Sequence, residues 1–456
     1  MKPVVTAAQM ADADRAALAH TAIGELVARA GSAVAFHARR MLGGGYGRRI
    51  VVVAGKGHNG DDGRVAARIL RRSGAAVLIV EAAGAPATLP DADLVIDAAY
   101  GTGFRGTYDA PRTSRPTPLL AVDIPSGLDA DTGRAAPGAV EATETVTFQA
   151  LKPGLLVAEG PRHAGVVHVA EIGIELGSVT AHEIEDADVA ALVPRRARAS
   201  HKWNTAVFVC AGSPGMRGAP VLCAAAALRT GAGMVRLGVP GGIGERPVPV
   251  EVVEVALAAA GFEQAVLGEL DRFGALVLGP GIGRTPRVTA AVLGIVDRAQ
   301  IPLVLDADGI IALGPLDEAA ARLAHRPAPT ILTPHDGEFA ALTGSLPGQD
   351  RTEAARSLAR VTGAVVLLKG STTIVADPAG AVRYVTAGSS VLATAGTGDV
   401  LSGIIGALVA RGMAPLDAAA VGAHLHGRAG ARGLREGLVA SDLPELVAAT
   451  LSELLA

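Results

Sequence analysis

Short apolar runs of strand type alternate along the chain with polar, Gly-bearing loops and helical periods. In the first third, strands are predicted in "RRIVVVAG", "AAVLIVEA", "ADLVIDAAYGTG" and "LLAVDIPSG". Later the pattern restarts with "TAVFVCAG", "ALVLGPG", "PLVLDADG", "TILTPHDG" and "AVVLLKGSTTIVA". This alternation is typical of doubly wound α/β folds, in which ligands gather at the carboxyl ends of the strands. We therefore predict that the polar loops of each sheet meet at one rim.

The segment 177–200 shows no strand pattern, and we place the boundary between two domains there. At 456 residues the chain is long enough for two or three domains. Residues 1–190 are predicted to form a Rossmann-like three-layer α/β/α domain, and residues 196–456 a second α/β domain. Helices are predicted after Thr6, which has capping-box spacing to Gln9, and over "IGELVARAGSAVAFHARRML".

Composition and charge narrow the class of partner. The net charge is −3 and aromatic residues make up only 3%, so neither a basic face nor stacking platforms for nucleic acid are expected. No apolar run reaches membrane length and the N-terminus lacks a signal-peptide pattern, so a soluble, cytoplasmic protein is expected, with no membrane partner. The two cysteines, Cys210 and Cys223, lie in apolar segments and are predicted to be buried and inert.

The stretch "ATAGTGDVLSG" combines an anion-binding turn with a carboxylate. Gly396 and Gly398 allow close backbone approach, and the apolar run that follows predicts a helix whose first N–H groups face a bound phosphate. Asp399 would repel that phosphate, which suggests that the carboxylate serves chemistry. The alternative is that Asp399 caps the helix, since Asp is a favoured N-cap residue.

Oxygen-bearing side chains collect at the predicted rim of the first domain. Asn59, Asp97, Asp123 and Ser126 all follow predicted strands. Amide, carboxylate and hydroxyl oxygens suit a hard cation, and a single carboxylate among neutral oxygens favours a monovalent one. The turn "GKGHNGDDG" matches neither a Walker loop nor a dinucleotide-binding glycine pattern. The alternative is that Asp97 and Asp123 only cap the following turns.

These motifs carry a resemblance. "GKGHNGDDGRVAARIL", "DAAYGTGFRG" and "VDIPSGLDADTG" resemble the nicotinamide-nucleotide-hydrate epimerase domain, and the second half resembles its ribokinase-like dehydratase partner. The whole chain is similar to the bacterial bifunctional NAD(P)H-hydrate repair enzymes. The resemblance implies epimerisation of the two NAD(P)H hydrates and ADP-dependent dehydration of one, which gives NAD(P)H, AMP and phosphate.

For the epimerase half, the resemblance implies a hydrate-binding loop, a potassium ion held by Asn59, Asp97 and Ser126, and Asp123 as the residue that moves the proton. The implied hydrate-binding residues are His58, Asn59, Gly60, Asp61, Asp62, Gly101, Thr102, Gly103, Phe104, Arg105, Gly106, Thr107 and Asp123. The chain departs from the family at His58 and Asp61, where an Asn-Asn-Gly-Gly-Asp turn is usual, and at Ala28-Arg29, where Glu-Asn is usual. The first departure bears on phosphate affinity and the second on a helix or dimer contact.

For the dehydratase half, the resemblance makes Asp399 the base that takes a proton from the attacking hydroxyl of the hydrate. Ala219, Gly281 and His335 would line the hydrated nicotinamide. The implied nucleotide-binding residues are Lys369, Gly370, Ser371, Thr372, Thr373 and Gly398. ADP is the expected co-substrate, and Mg²⁺ is expected with it.

Two other functions stay open on the residues alone. An ordinary small-molecule kinase of the ribokinase superfamily, such as a vitamin-precursor kinase, would share the Gly-Thr-Gly-Asp turn, but it does not account for the motifs of the first domain. A noncatalytic nucleotide-binding scaffold would keep nucleotide binding without turnover. For the repair enzyme that the resemblance implies, a homo-oligomer is expected.

Overall fold

A computed structural model describes residues 1–242, 244 and 248–456. Residues 2–181 form one compact unit, and residues 182–456, with Met1, form the other. The division falls earlier than the predicted domain end at residue 190, and the expectation that segment 177–200 contains no strand is wrong. Ala181–Glu183 is a strand beside Val382–Val385, followed by a helix over Asp186–Leu192. Three residues are too short to show an alternating pattern, which is why the sequence did not reveal this strand.

The N-terminal unit is built on a six-stranded parallel sheet. In spatial order its strands are Ala76–Glu81, Arg49–Ala54, Leu94–Ala98, Leu119–Val122, Glu144–Phe148 and Val166–Ala170. The helices are Ala7–Leu18, Ile23–Leu42, His58–Arg72, Pro153–Leu156 and Gly160–Ala164, and the short strands are Lys2–Val4, Thr88–Leu89 and Arg112–Thr113. The four predicted strands are confirmed, while the last two of the sheet were not predicted.

Local sequence signals explain where the first helices begin and end. The Thr6 side chain accepts a hydrogen bond from the Gln9 N–H at 3.2 Å, and the Gln9 side chain accepts one from the Thr6 N–H at 2.9 Å, which confirms the capping box. In the helix Ile23–Leu42, the residues Leu26, Ala30 and Val34 recur every four positions and are buried on one face. This face packs on the sheet within the larger core of the unit.

The C-terminal unit contains a mostly parallel sheet. In spatial order its strands are Ala181–Glu183, Val382–Val385, Thr373–Ala376, Val365–Leu368, Thr330–Leu332, Leu303–Leu305, Ala275–Leu278, Ala206–Cys210, Met234–Pro240 and Val253–Leu257. Its helices are Asp186–Leu192, Gly218–Arg229, Glu263–Leu267, Pro286–Arg298, Asp308–Ala312, Leu316–Leu323, Asp336–Thr343, Arg351–Thr362, Thr397–Ala410, Pro415–Arg432 and Leu443–Leu454. Neighbouring strands are parallel from Val365–Leu368 to Val253–Leu257, whereas Thr373–Ala376 and Val382–Val385 pair antiparallel. The α/β fold class predicted for both units is confirmed.

The helix Thr397–Ala410 holds the stretch "ATAGTGDVLSG" in place because it lies in the core. Almost every residue after its first turn is buried. It packs so closely on the helix Gly218–Arg229 that a side chain at Gly403 would meet the Cys223 carbonyl oxygen at 2.1 Å. Cys210 and Cys223 are buried free thiols whose pKa values are raised by burial, as inert cysteines require. Among the described residues, no helix combines the length and the apolar character that a membrane crossing needs.

Candidate active sites

A cavity of about 650 Å³ opens at the carboxyl ends of the strands in the N-terminal unit. The residues from the predicted loops that line it are His58, Asn59, Asp62, Gly101, Thr102, Gly103, Phe104, Arg105 and Asp123. Gly60, Asp61, Gly106 and Thr107 are not among its lining residues. Gly60 instead packs on the backbone of the preceding strand loop, where a Cβ would lie 1.9 Å from the Gly55 carbonyl oxygen. The cavity is large enough for a nucleotide-sized ligand.

Asp123 is held at the wall of this cavity by three donors. Its Oδ1 atom lies 2.8 Å from Lys152 Nζ and accepts a hydrogen bond from the Thr147 hydroxyl at 3.2 Å, and its Oδ2 atom accepts one from the Thr102 N–H at 3.2 Å. The backbone of Asp123 has φ of +65°, a conformation that costs free energy and is concentrated at functional sites. The carboxylate is therefore fixed in direction.

Lys152 is a candidate site residue that was not predicted from the sequence. Its side chain is 1% exposed, and its ammonium also donates to the Thr147 hydroxyl at 2.8 Å and to the Phe148 carbonyl at 3.1 Å. The sequence did contain a feature that could have pointed to Lys152: it is one of only five lysines and lies shortly after the strand Glu144–Phe148. The surroundings make Lys152 and Asp123 a dry, hydrogen-bonded ion pair.

Asp97 and Ser126 lie together beside the cavity. The Ser126 hydroxyl donates to Asp97 Oδ1 at 2.7 Å, and the Ser126 N–H donates to Oδ2 at 2.8 Å. Burial raises the pKa of Asp97 to about 6, although these hydrogen bonds oppose the shift. Asp97 also accepts a longer hydrogen bond from the Ala99 N–H at 3.3 Å, so it stabilises the following turn as well.

Asn59 lies on the other side of the loop that begins at Gly101. A Cβ at Gly101 would be 3.3 Å from Asn59 Cγ and 3.0 Å from Asp123 Oδ2, so only glycine leaves room for both side chains. The buried Asn59 Nδ2 has no hydrogen-bond partner among the described residues. Asp62, from the same turn as Asn59, is buried, and burial followed by the neighbouring carboxylates raises its pKa to about 8.

The two departures from the family pattern are also located. His58 Nδ1 lies 3.9 Å from Asp61 Oδ2; the His58 side chain is largely exposed at the cavity wall, and that of Asp61 is half-exposed. Arg29 binds Glu25 at 2.5 Å and donates to the Ile172 carbonyl at 2.9 Å. In this chain Arg29 thus connects the helix Ile23–Leu42 to the loop after the edge strand.

In the C-terminal unit, Asp399 does not cap its helix. The N-cap is Gly396, with φ of +92°, and Asp399 is the third helical residue. Burial and the nearby carboxylates, first Asp306, raise the pKa of Asp399 to about 7, while Lys369 opposes the rise. This carboxyl group can therefore both take up and release a proton near neutral pH.

Lys369 and Asp306 form the centre of this rim. Lys369 Nζ lies 2.7 Å from Asp306 Oδ1, and the hydroxyls of Thr333 and Ser402 donate to the two Asp306 oxygens at 2.7 Å each. The positive charge of Lys369 lowers the pKa of Asp306 despite its complete burial. The sequence analysis did not assign Asp306, although "PLVLDADG" places it directly after a predicted strand. Ala307, which follows it, has φ of +51°.

The predicted nucleotide loop begins at this ion pair. Lys369 Nζ is 3.5 Å from the position of a Cβ at Gly398, so the loop and the helix start are adjacent. Arg351 donates to the Lys369 carbonyl at 2.7 Å and packs against Gly370, which fixes the loop backbone. Ser371 is exposed, Thr372 is buried, and Thr373 begins the next strand.

Of the predicted substrate residues Ala219, Gly281 and His335, the first two lie next to each other. A Cβ at Gly281 would lie 3.1 Å from the Ala219 Cβ, so these positions face each other across a narrow gap. His335 caps the helix Asp336–Thr343, since its Nδ1 accepts from the N–H groups of Gly337 and Glu338 at 2.9 and 3.2 Å. The His335 side chain is still 59% exposed, so the cap leaves part of the ring accessible.

Comparisons with known proteins agree for both halves. A family described as NAD(P)H-hydrate dehydratase matches residues 207–452, and one described as YjeF-related protein N-terminus matches residues 23–92 and 80–154. The bifunctional NAD(P)H-hydrate repair enzyme of Moorella thermoacetica is 36% identical over 99% of this chain and 97% of that protein. The enzyme of the same name from Mycobacterium tuberculosis is 39% identical over 87% of each chain.

A solved structure resembles the C-terminal part. The ADP/ATP-dependent NAD(P)H-hydrate dehydratase of Bacillus subtilis, co-crystallised with ATP and Mg²⁺, superposes with a TM-score of 0.53 at 30% identity, over 59% of this chain and 97% of that one. Together with the near full-length relatives, this places both halves in one family. The chain belongs to the bifunctional NAD(P)H-hydrate repair enzymes.

Proposed function

We propose that the C-terminal domain converts the S epimer of NAD(P)HX to NAD(P)H at the expense of ADP, with Asp399 as general base, and that the N-terminal domain interconverts the R and S epimers with Asp123. The observation that carries the proposal is the pair of carboxylates at two separate strand-end rims, each beside a lysine. Family membership makes the chain a bifunctional enzyme with a lyase and an isomerase activity.

In the dehydratase step, Asp399 takes the proton from the hydroxyl of the hydrated nicotinamide as that oxygen attacks the terminal phosphorus of ADP. AMP leaves, and the hydroxyl becomes a phosphate ester. The ester then departs as inorganic phosphate while the neighbouring ring carbon gives up a proton, which restores the double bond. A base with a pKa of about 7 suits this role and contributes on the order of 10²- to 10⁴-fold in rate.

The other groups of this rim bind and position. The N–H groups at the start of the helix Thr397–Ala410 and the loop from Lys369 to Thr373 offer donors to the phosphates. Lys369 supplies a positive charge that is fixed by Asp306, so it needs little reorganisation during phosphoryl transfer. Ala219 and Gly281, which carry little or no side chain, would contact the nicotinamide ring.

The charge balance at this rim fits a divalent cation that arrives with the nucleotide. After burial, the charges of Asp306, Asp308 and Glu338 raise the pKa of Asp399, and Asp306 also raises the pKa of Glu338, with Lys369 as the nearby cation. Glu338 and the nucleotide phosphates would hold Mg²⁺, which typically keeps one or two carboxylates and several waters. When bound, Mg²⁺ would neutralise charge on the phosphates.

In the epimerase step, Asp123 removes and returns the proton of the hydroxyl on the carbon that also bears the ring nitrogen. Lys152 keeps the carboxylate aimed into the cavity and is close enough to stabilise its charge. Asn59 and Thr102 bring polar groups to the same wall. As the hydroxyl oxygen becomes an aldehyde oxygen, the carbon–nitrogen bond breaks and the ring nitrogen keeps the electron pair. The nitrogen then attacks the other face of the aldehyde and the proton returns to the oxygen, which gives the other epimer.

A potassium ion fits beside Asp97. This carboxylate is 2% exposed, and burial raises its pKa more than its hydrogen bonds lower it, so a cation would offset the remaining cost of burying the charge. Asn59, Asp97 and Ser126 would hold the ion, which would supply a fixed charge near the substrate phosphates. Replacing K⁺ by tetramethylammonium at equal ionic strength should lower both the epimerisation rate and the melting temperature of the N-terminal domain, and Asp97→Asn should abolish both differences.

The assay that tests the proposal incubates hydrated NADH with ADP or with ATP and follows the reduced-nicotinamide absorbance and the nucleotide products. Return of the absorbance with one phosphate and one AMP formed from each ADP supports the dehydratase. A stable phosphorylated product would instead identify an ordinary ribokinase-superfamily kinase. The preference between NADHX and NADPHX, a homo-oligomeric state and a cytoplasmic location stay predictions.

A further inference from the structure

Three side chains that the proposed function does not use converge on one face of the N-terminal sheet. His37 belongs to the helix Ile23–Leu42, Glu144 is the first residue of the strand Glu144–Phe148, and His168 is in the edge strand Val166–Ala170. One nitrogen of each histidine and one Glu144 oxygen all lie within 4.8 Å of one another. His168 Nε2 is 2.7 Å from Glu144 Oε2, and the two imidazole rings are 4.4 Å apart.

The strand register explains why these residues meet. His168 is paired with Val146, and Glu144 is two residues before Val146, so Glu144 and His168 point to the same face. Val146 packs in one core with Val34 of the helix Ile23–Leu42, so this face is the one that the helix covers. His37 follows Val34 by almost one helical turn, which brings its ring to the two strands.

The hydrogen bonding and exposure of these side chains suit the binding of a cation. His37 Nδ1 is buried and has no hydrogen-bond partner within the described part of the chain. Glu144 and His168 are 20% and 17% exposed, which leaves a path for an ion and a water molecule.

We propose that His37, Glu144 and His168 bind one Zn²⁺ ion, with water as the fourth ligand. Two imidazole nitrogens and one carboxylate oxygen form a ligand set that Zn²⁺ accepts, whereas Ca²⁺ and Mg²⁺ prefer oxygen ligands only. Tetrahedral Zn²⁺ holds such atoms roughly 3.3 Å apart, so the observed spacing needs only side-chain rotation. The ion replaces the hydrogen bond between His168 and Glu144.

The site is separate from the epimerase cavity. Glu144 lies at the amino end of its strand, whereas Asp123 and Lys152 lie at the carboxyl ends. None of the three proposed ligands lines the cavity as the structure describes it. A metal here would connect the edge strand Val166–Ala170 to the helix Ile23–Leu42, so its role is to stabilise the N-terminal domain.

The test is a Zn²⁺ titration of the full chain against a chromophoric chelator, together with thermal unfolding with and without Zn²⁺. The wild type should hold one ion with a dissociation constant below about 10 µM and should melt at a higher temperature with Zn²⁺. His37→Ala and His168→Ala should each weaken this ion by at least about 100-fold, because even outer-shell partners of a metal contribute 10- to 100-fold. His20→Ala, at an exposed histidine of the same domain, is the matched control and should change nothing.

Glu144→Gln distinguishes loss of metal binding from a folding defect, because Gln can still hydrogen-bond His168 but lacks the negative charge. It should fold normally without metal, keep dehydratase turnover and lose most of the Zn²⁺ affinity. The proposal is overturned if the wild type holds no such ion, or if the ion and its effect on melting survive in the His37→Ala/His168→Ala double variant.

Discussion

The two candidate active sites each contain a carboxylate near a lysine, but the lysine is paired with that carboxylate in only one of them. In the N-terminal domain the carboxylate proposed to move the proton, Asp123, is paired directly with the buried Lys152. In the C-terminal domain Lys369 is paired with a different carboxylate, Asp306, and only influences Asp399 from nearby. Both rims include a non-glycine residue with positive φ, Asp123 in one and Ala307 in the other.

Hydrogen bonds fix the direction of the Asp123 carboxylate, whereas the surroundings of Asp399 change its pKa. Asp123 is fixed by three donors, so its direction depends on Lys152, Thr147 and Thr102. The pKa of Asp399 is raised to about 7, first by burial and then by neighbouring carboxylates. Removing a partner should therefore damage the first site through geometry and change the second site through its pH dependence.

The largest effect is expected when the direct ion pair is broken. Lys152→Met leaves Asp123 without its buried partner, so the N-terminal domain should lose about 3–5 kcal/mol of stability. Epimerisation should fall on the order of 100-fold, while dehydration of the S epimer continues. Separate epimerisation and dehydration assays measure the change in rate, and denaturant-induced unfolding of the full chain measures the change in stability.

Arg162→Met is the control for that variant. Arg162 pairs with Glu141 at 2.8 Å in the same domain, but both side chains are more than half exposed. Its removal should cost at most about 1 kcal/mol. An equal loss from both variants would show that the pairing of Asp123 and Lys152 has no special role.

An intermediate effect is expected in the pH profile of dehydration. Asp399 must be ionised to act as base, so kcat/KM should rise with pH up to about 7 and then level off. Glu338→Gln removes a negative charge that raises the pKa of Asp399, so the rising limb should move to lower pH by a few tenths of a unit, while loss of the carboxylate proposed to hold Mg²⁺ lowers the plateau of the profile. The glutamine can still accept the hydrogen bond from the His335 N–H, so the helix cap is kept.

Glu353→Gln is the matched control, because Glu353 is exposed in the same domain and pairs with Arg360 at 3.4 Å. Its pH profile should overlay that of the wild type. A shift of the rising limb to higher pH in Glu338→Gln would contradict the assignment of Asp399 as a base tuned by its acidic neighbours.

The smallest effect concerns Asp62, which lies in the cavity but has no catalytic role in the proposed reaction. Its folded-state pKa, about 8, is above the ordinary value, so the folded state keeps a proton that the unfolded chain releases above about pH 4. Stability from this group is therefore lost as pH rises from about 4 to 8. Asp62→Asn should shrink the difference in melting temperature between pH 5 and pH 8 by a few degrees, roughly 2–4 °C for each kcal/mol removed.

Asp12→Asn, at an exposed residue paired with Arg15, should leave that pH dependence unchanged. A larger slope in Asp62→Asn than in the wild type would mean that Asp62 is ionised in the folded protein. The position of this buried carboxyl group beside Asp123 would then need another cation to balance it.

Much of the fold follows from the sequence because its central strands are continuous apolar runs. The helix Ile23–Leu42 and strands such as Leu94–Ala98 are predicted well for this reason. Strands such as Met234–Pro240 and Val253–Leu257 were missed, since the first contains Arg236 and the second is a partly exposed edge strand. Their patterns resemble those of loops until the neighbouring strands are known.

The candidate sites follow from the sequence only in part. Asp97, Asp123 and Asp399 are visible as polar residues in Gly-bearing stretches beside apolar runs. Their partners are not, because Lys152 is 29 residues from Asp123 and Asp306 is 63 residues from Lys369. Whether a lysine faces a particular carboxylate depends on strand order, which the local sequence does not determine.

The central claim is that two independent carboxylates serve two reactions. The most direct measurement assays Asp123→Asn and Asp399→Asn for both activities, with epimers separated by chromatography and dehydration followed by the reduced-nicotinamide absorbance. Asp399→Asn should lower dehydration by about 10²- to 10⁴-fold while nucleotide binding and epimerisation persist, and Asp123→Asn should do the reverse. Loss of both activities in either variant, or unchanged dehydration in Asp399→Asn, would contradict the account.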